Sequence, residues 1–403
     1  MKNSKSMISV EEAMTCILNH TESFGTERIP FERSLGRVIK ETIVSDRDMP
    51  PFDRVSMDGI AIDSSVFQSG QREFTIEDVQ PAGSEQKKLK GPNNCLEAMT
   101  GAILPLGTDA VIPYELIQIE NKVATVQLDA VKKFQNIHKR GLDRKTNEVL
   151  INQNQMISAA EIGVLATVGK SFVKVAKLPK IALVSTGDEL VNVNQNPKPY
   201  QIRKSNVYTL ATLLEKKGVP ADLFHLPDDK ENLTKQIRRL LDSYDVIMFS
   251  GAVSKGKFDF LPEILDKLGV EKLFHRVKQR PGKPFWFGKK QHVTVFAFPG
   301  NPVSTFVSCL KYFMPWLEKS LNVSRFSEQF AILAKDFEFK PALNYFLQVK
   351  LANEQGCIMA HPETGNGSGD LANLTLADAF IELPAEQTVF KKGEVFHLIQ
   401  FRT

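Results

Sequence analysis

Three short segments place a small hydroxyl residue beside a glycine directly after an apolar run. Ser185-Thr186-Gly187-Asp188-Glu189 follows Ile181-Ala-Leu-Val184. Ser250-Gly251-Ala252-Val253-Ser254 follows Val246-Ile-Met-Phe249. Pro299-Gly300-Asn301-Pro302-Val303-Ser304 follows Val293-Thr-Val-Phe-Ala-Phe298. Glycine lets backbone amides approach a ligand, and amides at the start of a following helix favour an anion. The chemistry this suits is phosphate binding. The first segment adds the carboxylate of Glu189, and the second is followed by Asp259. A carboxylate beside phosphate-cradling amides suits Mg²⁺ held between protein and substrate phosphate. A strand–Gly–helix turn is also what any α/β fold needs for its geometry, so one such loop says little, whereas three on one sheet edge converge. The Walker Gly-Lys-Ser/Thr order is absent and no Gly-x-Gly-x-x-Gly follows a strand, which disfavours a P-loop and a dinucleotide site.

A second cluster is cationic. Arg276-Val277-Lys278-Gln279-Arg280-Pro281-Gly282-Lys283-Pro284 carries four cations in eight residues around a Pro-Gly turn. A charge run of this kind reads plainly as a solvated hairpin. Proline on both sides of Gly-Lys also fixes the backbone, and a rigid Arg280 and Lys283 facing the sheet edge make an oxyanion clamp. The seven histidines are scattered, without a metal-ligand spacing. No Gly-x-Ser-x-Gly elbow occurs. Asp58, in Met49-Pro-Pro-Phe-Asp-Arg-Val-Ser-Met-Asp58-Gly59, and Thr100, in Ala98-Met-Thr100-Gly101-Ala102, lie in turn-like stretches and taken alone read as turn residues.

The elements that must position these residues follow from the pattern. Ser9-Val10-Glu11-Glu12 is a capping box opening a helix with Ala13, Ile17 and Leu18 on one stripe. Ser158 and Glu161 form a similar box. From about 30 to 150, short apolar runs separated by Gly, Pro, Asn and Asp read as strands and turns. From 180 to about 320 strands and helices alternate, which predicts a parallel sheet covered on both faces. Ser205 is placed to cap the helix carrying Val207, Leu210, Leu213 and Leu214, and Pro302 to start the last helix at its first position. After Ser320 the apolar runs are again strand-like, predicting a small β domain.

Composition bounds the rest. The chain has 403 residues, 42% hydrophobic and 24% charged, with 51 basic against 47 acidic side chains and a net charge of +4. That is ordinary for a globular protein and too balanced for a nucleic-acid binder on composition alone. The four cysteines, Cys16, Cys95, Cys309 and Cys357, are far apart and predict neither a disulfide framework nor a zinc site. No run approaches the ~18 apolar residues of a membrane span, and no signal-peptide core follows Met1. The expectation is a soluble cytoplasmic protein.

With these residues assembled, the chain resembles the MoeA family of molybdopterin molybdenumtransferases, related to the C-terminal region of gephyrin. The resemblance runs from about Ser9 to about Phe401. It rests on Pro50-Pro-Phe-Asp-Arg-Val-Ser-Met-Asp-Gly59, Met99-Thr-Gly-Ala102, Val184-Ser-Thr-Gly-Asp-Glu-Leu190, Ser250-Gly-Ala-Val-Ser254, Pro281-Gly-Lys-Pro284 and Pro299-Gly-Asn-Pro-Val-Ser304. It implies an α/β plus β multidomain fold. A discontinuous linking and dimer domain would take 1–45 and 145–178, a strand-rich inserted domain 46–144, a doubly wound molybdopterin-binding α/β domain 179–321, and a C-terminal β domain 322–403. It further implies a homodimer, and a reaction in which molybdate enters the dithiolene of adenylylated molybdopterin with Mg²⁺-dependent release of AMP. A transient contact with a molybdopterin adenylyltransferase belongs to the same picture; nucleic acid and membrane do not.

Residue roles follow from the matching motifs. Asp58, Thr100 and Asp143 (in Arg140-Gly-Leu-Asp143) match positions needed for activity, the first two reaching a partner subunit's cleft. Glu189 and Asp259 are the candidates for Mg²⁺ and the pyrophosphate. Ser185, Thr186, Gly187, Ser250, Gly251, Ser254, Pro299, Gly300, Asn301, Pro302 and Ser304 would line the nucleotide and pterin phosphates. Arg276, Arg280 and Lys283 would attract molybdate, and Ser368, in Gly367-Ser-Gly369, would contribute from the β domain. The chain departs from the family pattern at Ala252, Lys255 and Lys204, carries Arg280 where Lys is frequent, and has no arginine at 342–348. Two other functions compete. A non-catalytic pterin binder or scaffold would not need Asp58, Thr100, Glu189 and Asp259 together. An adenylyltransferase would leave the domains outside the α/β domain without a role.

Overall fold

The computed structural model describes residues 7–251, 253, 260–324 and 328–402. The chain forms two compact units. The larger comprises Met1–Lys40, Asn154–Ser158 and Phe172–Thr403, and the smaller Glu41–Gln153 and Ala159–Ser171. The N-terminal segment up to Lys40 groups with the α/β and β parts in the larger unit.

The smaller unit is built on a six-stranded mixed sheet, in the order Ala110–Pro113, Gly59–Ile62, Asn94–Ala98, Glu73–Gln80, Val123–Val126 and Ile117–Glu120. Strand alternation sorts its side chains. Ile60 and Ile62 point into a core with Phe74, Cys95 and Ile112, whereas Ala61 faces Val55, Ala98 and Val111 on the other side. Gly59 is required by close approach, because a Cβ there would lie 1.9 Å from the Ile112 carbonyl oxygen.

In the larger unit the α/β part runs β1 (Ile181–Thr186), α1 (Asn206–Glu215), β2 (Ala221–Leu226), α2 (Lys230–Ser243), β3 (Val246–Ser250), α3 (Leu261–Lys267), β4 (Glu271–His275), β5 (Trp286–Lys290), β6 (Val293–Phe298) and α4 (Pro302–Ser308). The sheet order is β2-β1-β3-β6-β5-β4. The first four strands are parallel; β5 runs antiparallel to β6 and β4 antiparallel to β5, so β5 alone runs against the others. The sheet is therefore mixed at one strand where a parallel sheet is expected. Trp286 and Phe287, at the start of β5, are buried, and the cationic Arg276–Pro284 stretch is the connection that turns the chain back on itself.

Both sheet faces are covered. Ile181, Leu183, Met248, Phe296 and Phe298 face α1, α4 and the N-terminal helix Val10–Leu18, whose capping box is present as expected. Ala182, Val184, Ile247, Phe249, Val295 and Ala297 face α2 and α3. This two-sided burial is why β1, β3 and β6 read as continuous apolar runs.

The C-terminal part is a ring of five strands: Asn344–Glu354, Cys357–Pro362, Gln329–Leu333, Val395–Gln400 and Ala379–Leu383, with the last pairing back on the first. Leu347, Val349, Ala360, Ile381 and Leu398 fill it. A short strand from the cationic connection, Gln279–Arg280, pairs in parallel with Asn344–Tyr345 at its edge. No described helix is long and apolar enough to cross a membrane.

Candidate active site

The strand order reverses direction between β1 and β3, and a ligand site in an open α/β sheet lies beyond the carboxyl ends of such strands. A cleft of about 1200 Å³ opens there. It is lined by the loops after β1, β3 and β6, by the turn Gln279–Pro284, and by the Gly365–Gly369 loop of the β ring, all within the larger unit.

Of the residues expected at phosphates, Ser185, Thr186, Gly187, Ser250, Gly251, Pro299, Gly300, Asn301, Pro302 and Ser304 line this cleft together, and Ser368 joins them. Ser254 lies outside the described residues. Gly251 has φ +106, and a Cβ there would sit 3.2 Å from the Thr186 hydroxyl. Among the described residues that buried hydroxyl has no hydrogen-bond partner, which leaves a donor and acceptor at the cleft wall for a ligand. The Ser185 hydroxyl lies 3.0 Å from Nδ1 of His225. Burial, with Lys204 nearby, holds the His225 imidazole below its ordinary pKa and so favours its neutral form.

Asn206 is a site residue that sequence reasoning passes over. Ser205 does not cap α1 through its side chain. Instead the Asn206 amide, at the first helical position, donates to the Ser250 hydroxyl at 2.8 Å and to the Gly300 carbonyl at 2.7 Å. One side chain therefore ties the loop after β3 to the loop after β6. Its sequence signal is a polar residue opening a helix of the α/β domain. Across the cleft, the Asn301 amide donates to the Ser368 hydroxyl at 2.6 Å, and the Val303 amide donates to the Ser368 carbonyl at 3.1 Å.

The cationic connection divides. Arg280 and Lys283 line the cleft; Arg276 does not. Arg276 sits at a left-handed bulge, φ 88, with its amide donating to Phe285 and its carbonyl accepting from Ile8. The Arg280 guanidinium lies 5.8 Å from the Phe339 ring centre, and Lys283 is exposed. Among the described residues neither cation pairs with a carboxylate, and two such cations on one wall suit an oxyanion.

Glu189 and Asp228 are carboxylates lining the cleft. Asp259 lies outside the described residues. Among the described residues no group of three His, Cys, Asp or Glu side chains could hold a metal by itself. Two carboxylates in one cleft fit an ion shared with substrate phosphates, as Mg²⁺ is commonly held. Gly187 has φ +128 and is packed against the Glu189 carboxylate, where a Cβ would lie 2.3 Å from an oxygen.

The remaining three expected residues belong to the smaller unit. Asp58 and Thr100 are in direct contact, the Thr100 amide donating to Asp58 Oδ1 at 2.6 Å. That bond, with a second from the Thr100 side chain, holds the Asp58 carboxyl below the usual range. Asp143 Oδ1 lies 2.8 Å from His138 Nε2. The strand Arg54–Val55 pairs with Ile137–His138 on one side and bonds to Gly101 and Ala102 on the other, so both acidic positions flank one short strand.

Three family descriptions match the chain in order: "MoeA N-terminal region (domain I and II)" over residues 8–169, "Probable molybdopterin binding domain" over 182–319, and "MoeA C-terminal region (domain IV)" over 331–401. A molybdopterin molybdenumtransferase from Synechocystis is 38% identical over 97% of this chain and 99% of its own length. One from Bacillus subtilis is 30% identical over 100% of this chain and 96% of its own length. Among solved structures, a molybdopterin biosynthesis MoeA protein from Pyrococcus horikoshii superposes with a TM-score of 0.83 at 26% identity, covering 98% of this chain and all of that one. With its three regions matched in order and its full length shared with such relatives, the chain belongs to the MoeA family.

Proposed function

We propose that this chain is a molybdopterin molybdenumtransferase that inserts molybdenum into adenylylated molybdopterin and releases AMP, the last step of molybdenum cofactor formation. The observation that carries this reading is the single cleft in which three phosphate-type loops, two carboxylates and the Arg280–Lys283 turn meet. Molybdate is a tetrahedral dianion and suits the two cations; the nucleotide and pterin phosphates suit the loops. The unpartnered Thr186 hydroxyl and the bare backbone at Gly251 lie where such phosphates would bind. Glu189 and Asp259 would hold Mg²⁺, which when bound neutralises phosphate charge as the adenylyl group leaves. Asp58, Thr100 and Asp143 act in the same reaction, and the protein works as a cytoplasmic homodimer that meets the adenylyltransferase supplying its substrate only transiently. A non-catalytic binder on the same fold is not favoured, because relatives that share the whole length carry an enzyme's name. The test is AMP release from adenylylated molybdopterin as Mg²⁺ is titrated, with size measurement of the same sample. Metal-dependent release from a dimer supports the reading; a monomer that retains the nucleotide intact contradicts it.

A further inference from the structure

The turn that presents Arg280 and Lys283 rests on a polar pair buried in an apolar core. Gln279 is 1% exposed and Tyr312 0%. The Tyr312 phenol donates to Gln279 Oε1. Gln279 Nε2 donates to the Pro281 carbonyl at 3.0 Å and the Gly282 carbonyl at 3.4 Å. Around them lie aromatic side chains, the Phe285 ring centre 5.0 Å from that of Tyr312. Burying an amide and a phenol costs desolvation, and an apolar pair of similar volume serves stability as well.

Two further observations tie the pair to the turn. Gly282 has φ +95, and a Cβ there would meet Gln279 Nε2 at 2.7 Å and the Ser308 hydroxyl at 2.8 Å. The turn thus sits directly on the amide. Tyr312 itself lies in a single π turn, Cys309–Phe313, inside the helical stretch that begins at Pro302. Such turns are rare and recur at functional sites. Here it aims the phenol at Gln279. A flipped Gln279 amide would set its oxygen against two carbonyls, so the phenol and the carbonyls together allow one orientation.

We propose that Gln279 and Tyr312 are positioning residues for the oxyanion. Tyr312 fixes the Gln279 amide, the amide fixes the carbonyls of Pro281 and Gly282, and the turn then holds Arg280 and Lys283 in one geometry. This rests on the reading of the cleft as the molybdate site.

The test uses the full chain, Tyr312→Phe, and the double variant Gln279→Leu/Tyr312→Phe, which removes both polar groups together. Molybdate KM, adenylylated molybdopterin KM, kcat and urea unfolding are measured for each, with molybdate retention by equilibrium dialysis. Tyr312→Phe is expected to raise molybdate KM about tenfold, the loss of one net hydrogen bond, leaving pterin KM within about twofold. The double variant leaves the Pro281 and Gly282 carbonyls without the Gln279 amide, so it is expected to unfold at a lower urea midpoint and, while folded, to keep the raised molybdate KM with pterin KM within about twofold, a split that a purely structural role does not give. A folded double variant with parental molybdate KM overturns the proposal. If it fails to fold, the KM split of Tyr312→Phe decides: an unchanged molybdate KM with reduced kcat overturns it. A parent that releases no AMP overturns the functional reading instead. Dialysis then judges the positioning role alone, weaker molybdate retention by Tyr312→Phe supporting it and equal retention refuting it.

Discussion

Lys283 is the side chain we propose to meet the oxyanion most directly. It is exposed on the cleft wall, and among the described residues no carboxylate pairs with it. Lys283→Ala is expected to raise molybdate KM by about tenfold, one charge-assisted contact, with pterin KM within about twofold; steady-state kinetics with each substrate varied checks the split. Asp58 makes a different demand. Its carboxyl is held low by the Thr100 amide and then by the Thr100 side chain. A depressed carboxylate gives an interaction that is present above the unfolded value, near 3.9, and is lost as pH falls through the folded one. The ionised form therefore persists across about pH 5 to 9, and AMP release should show no limb from Asp58 there. Asp58→Asn should lower AMP release at every pH in that window; an acid limb near neutrality that vanishes in the variant would contradict an always-ionised role. The contact itself was not legible from spacing. Asp58 and Thr100 lie in separate turn-like stretches, and only the fold of the strand-rich sheet brings the amide of one to the carboxylate of the other.

Elements explain what the sequence made readable and what it hid. Strand β6 has the limits expected of it, because a continuous apolar run has one sensible reading. Strand β5 was hidden because Trp286-Phe287-Gly288 is short and sits between a Pro-Gly-Lys-Pro turn and two lysines, so the run reads as an extension of the charged hairpin. The pairing of Gln279–Arg280 with Asn344–Tyr345 was hidden for another reason: nothing local in either segment specifies a partner so distant in sequence. The three phosphate-type loops were legible, since hydroxyl and glycine residues at strand ends have a physical purpose. The tie between two of them was not, because the motif at the start of α1 suggests a Ser205 cap, whereas the Asn206 amide crosses to Ser250 and Gly300. Asn206→Ala removes both bonds, leaves the helix intact, and should raise pterin KM by about tenfold with smaller change in molybdate KM. Unfolding by urea, run alongside the kinetics, separates this from general destabilisation.

For the whole chain, we propose that one cleft joins nucleotide release to metal insertion. The larger unit brings loops of the α/β sheet, a turn at its antiparallel edge and a loop of the β ring to the same space. A site for only a phosphate or only an oxyanion would need fewer of these parts. The three family regions matched in order and the full-length match to a molybdopterin molybdenumtransferase agree with a chain organised around that joint task. The measurement that tests it most directly is a single turnover: purified protein in excess over adenylylated molybdopterin and Mg²⁺, with and without molybdate, following AMP and active cofactor together. AMP and active cofactor are expected to appear in step, and both to need molybdate. Firm retention of the pterin nucleotide with no AMP release, whatever oxyanion is added, would contradict it.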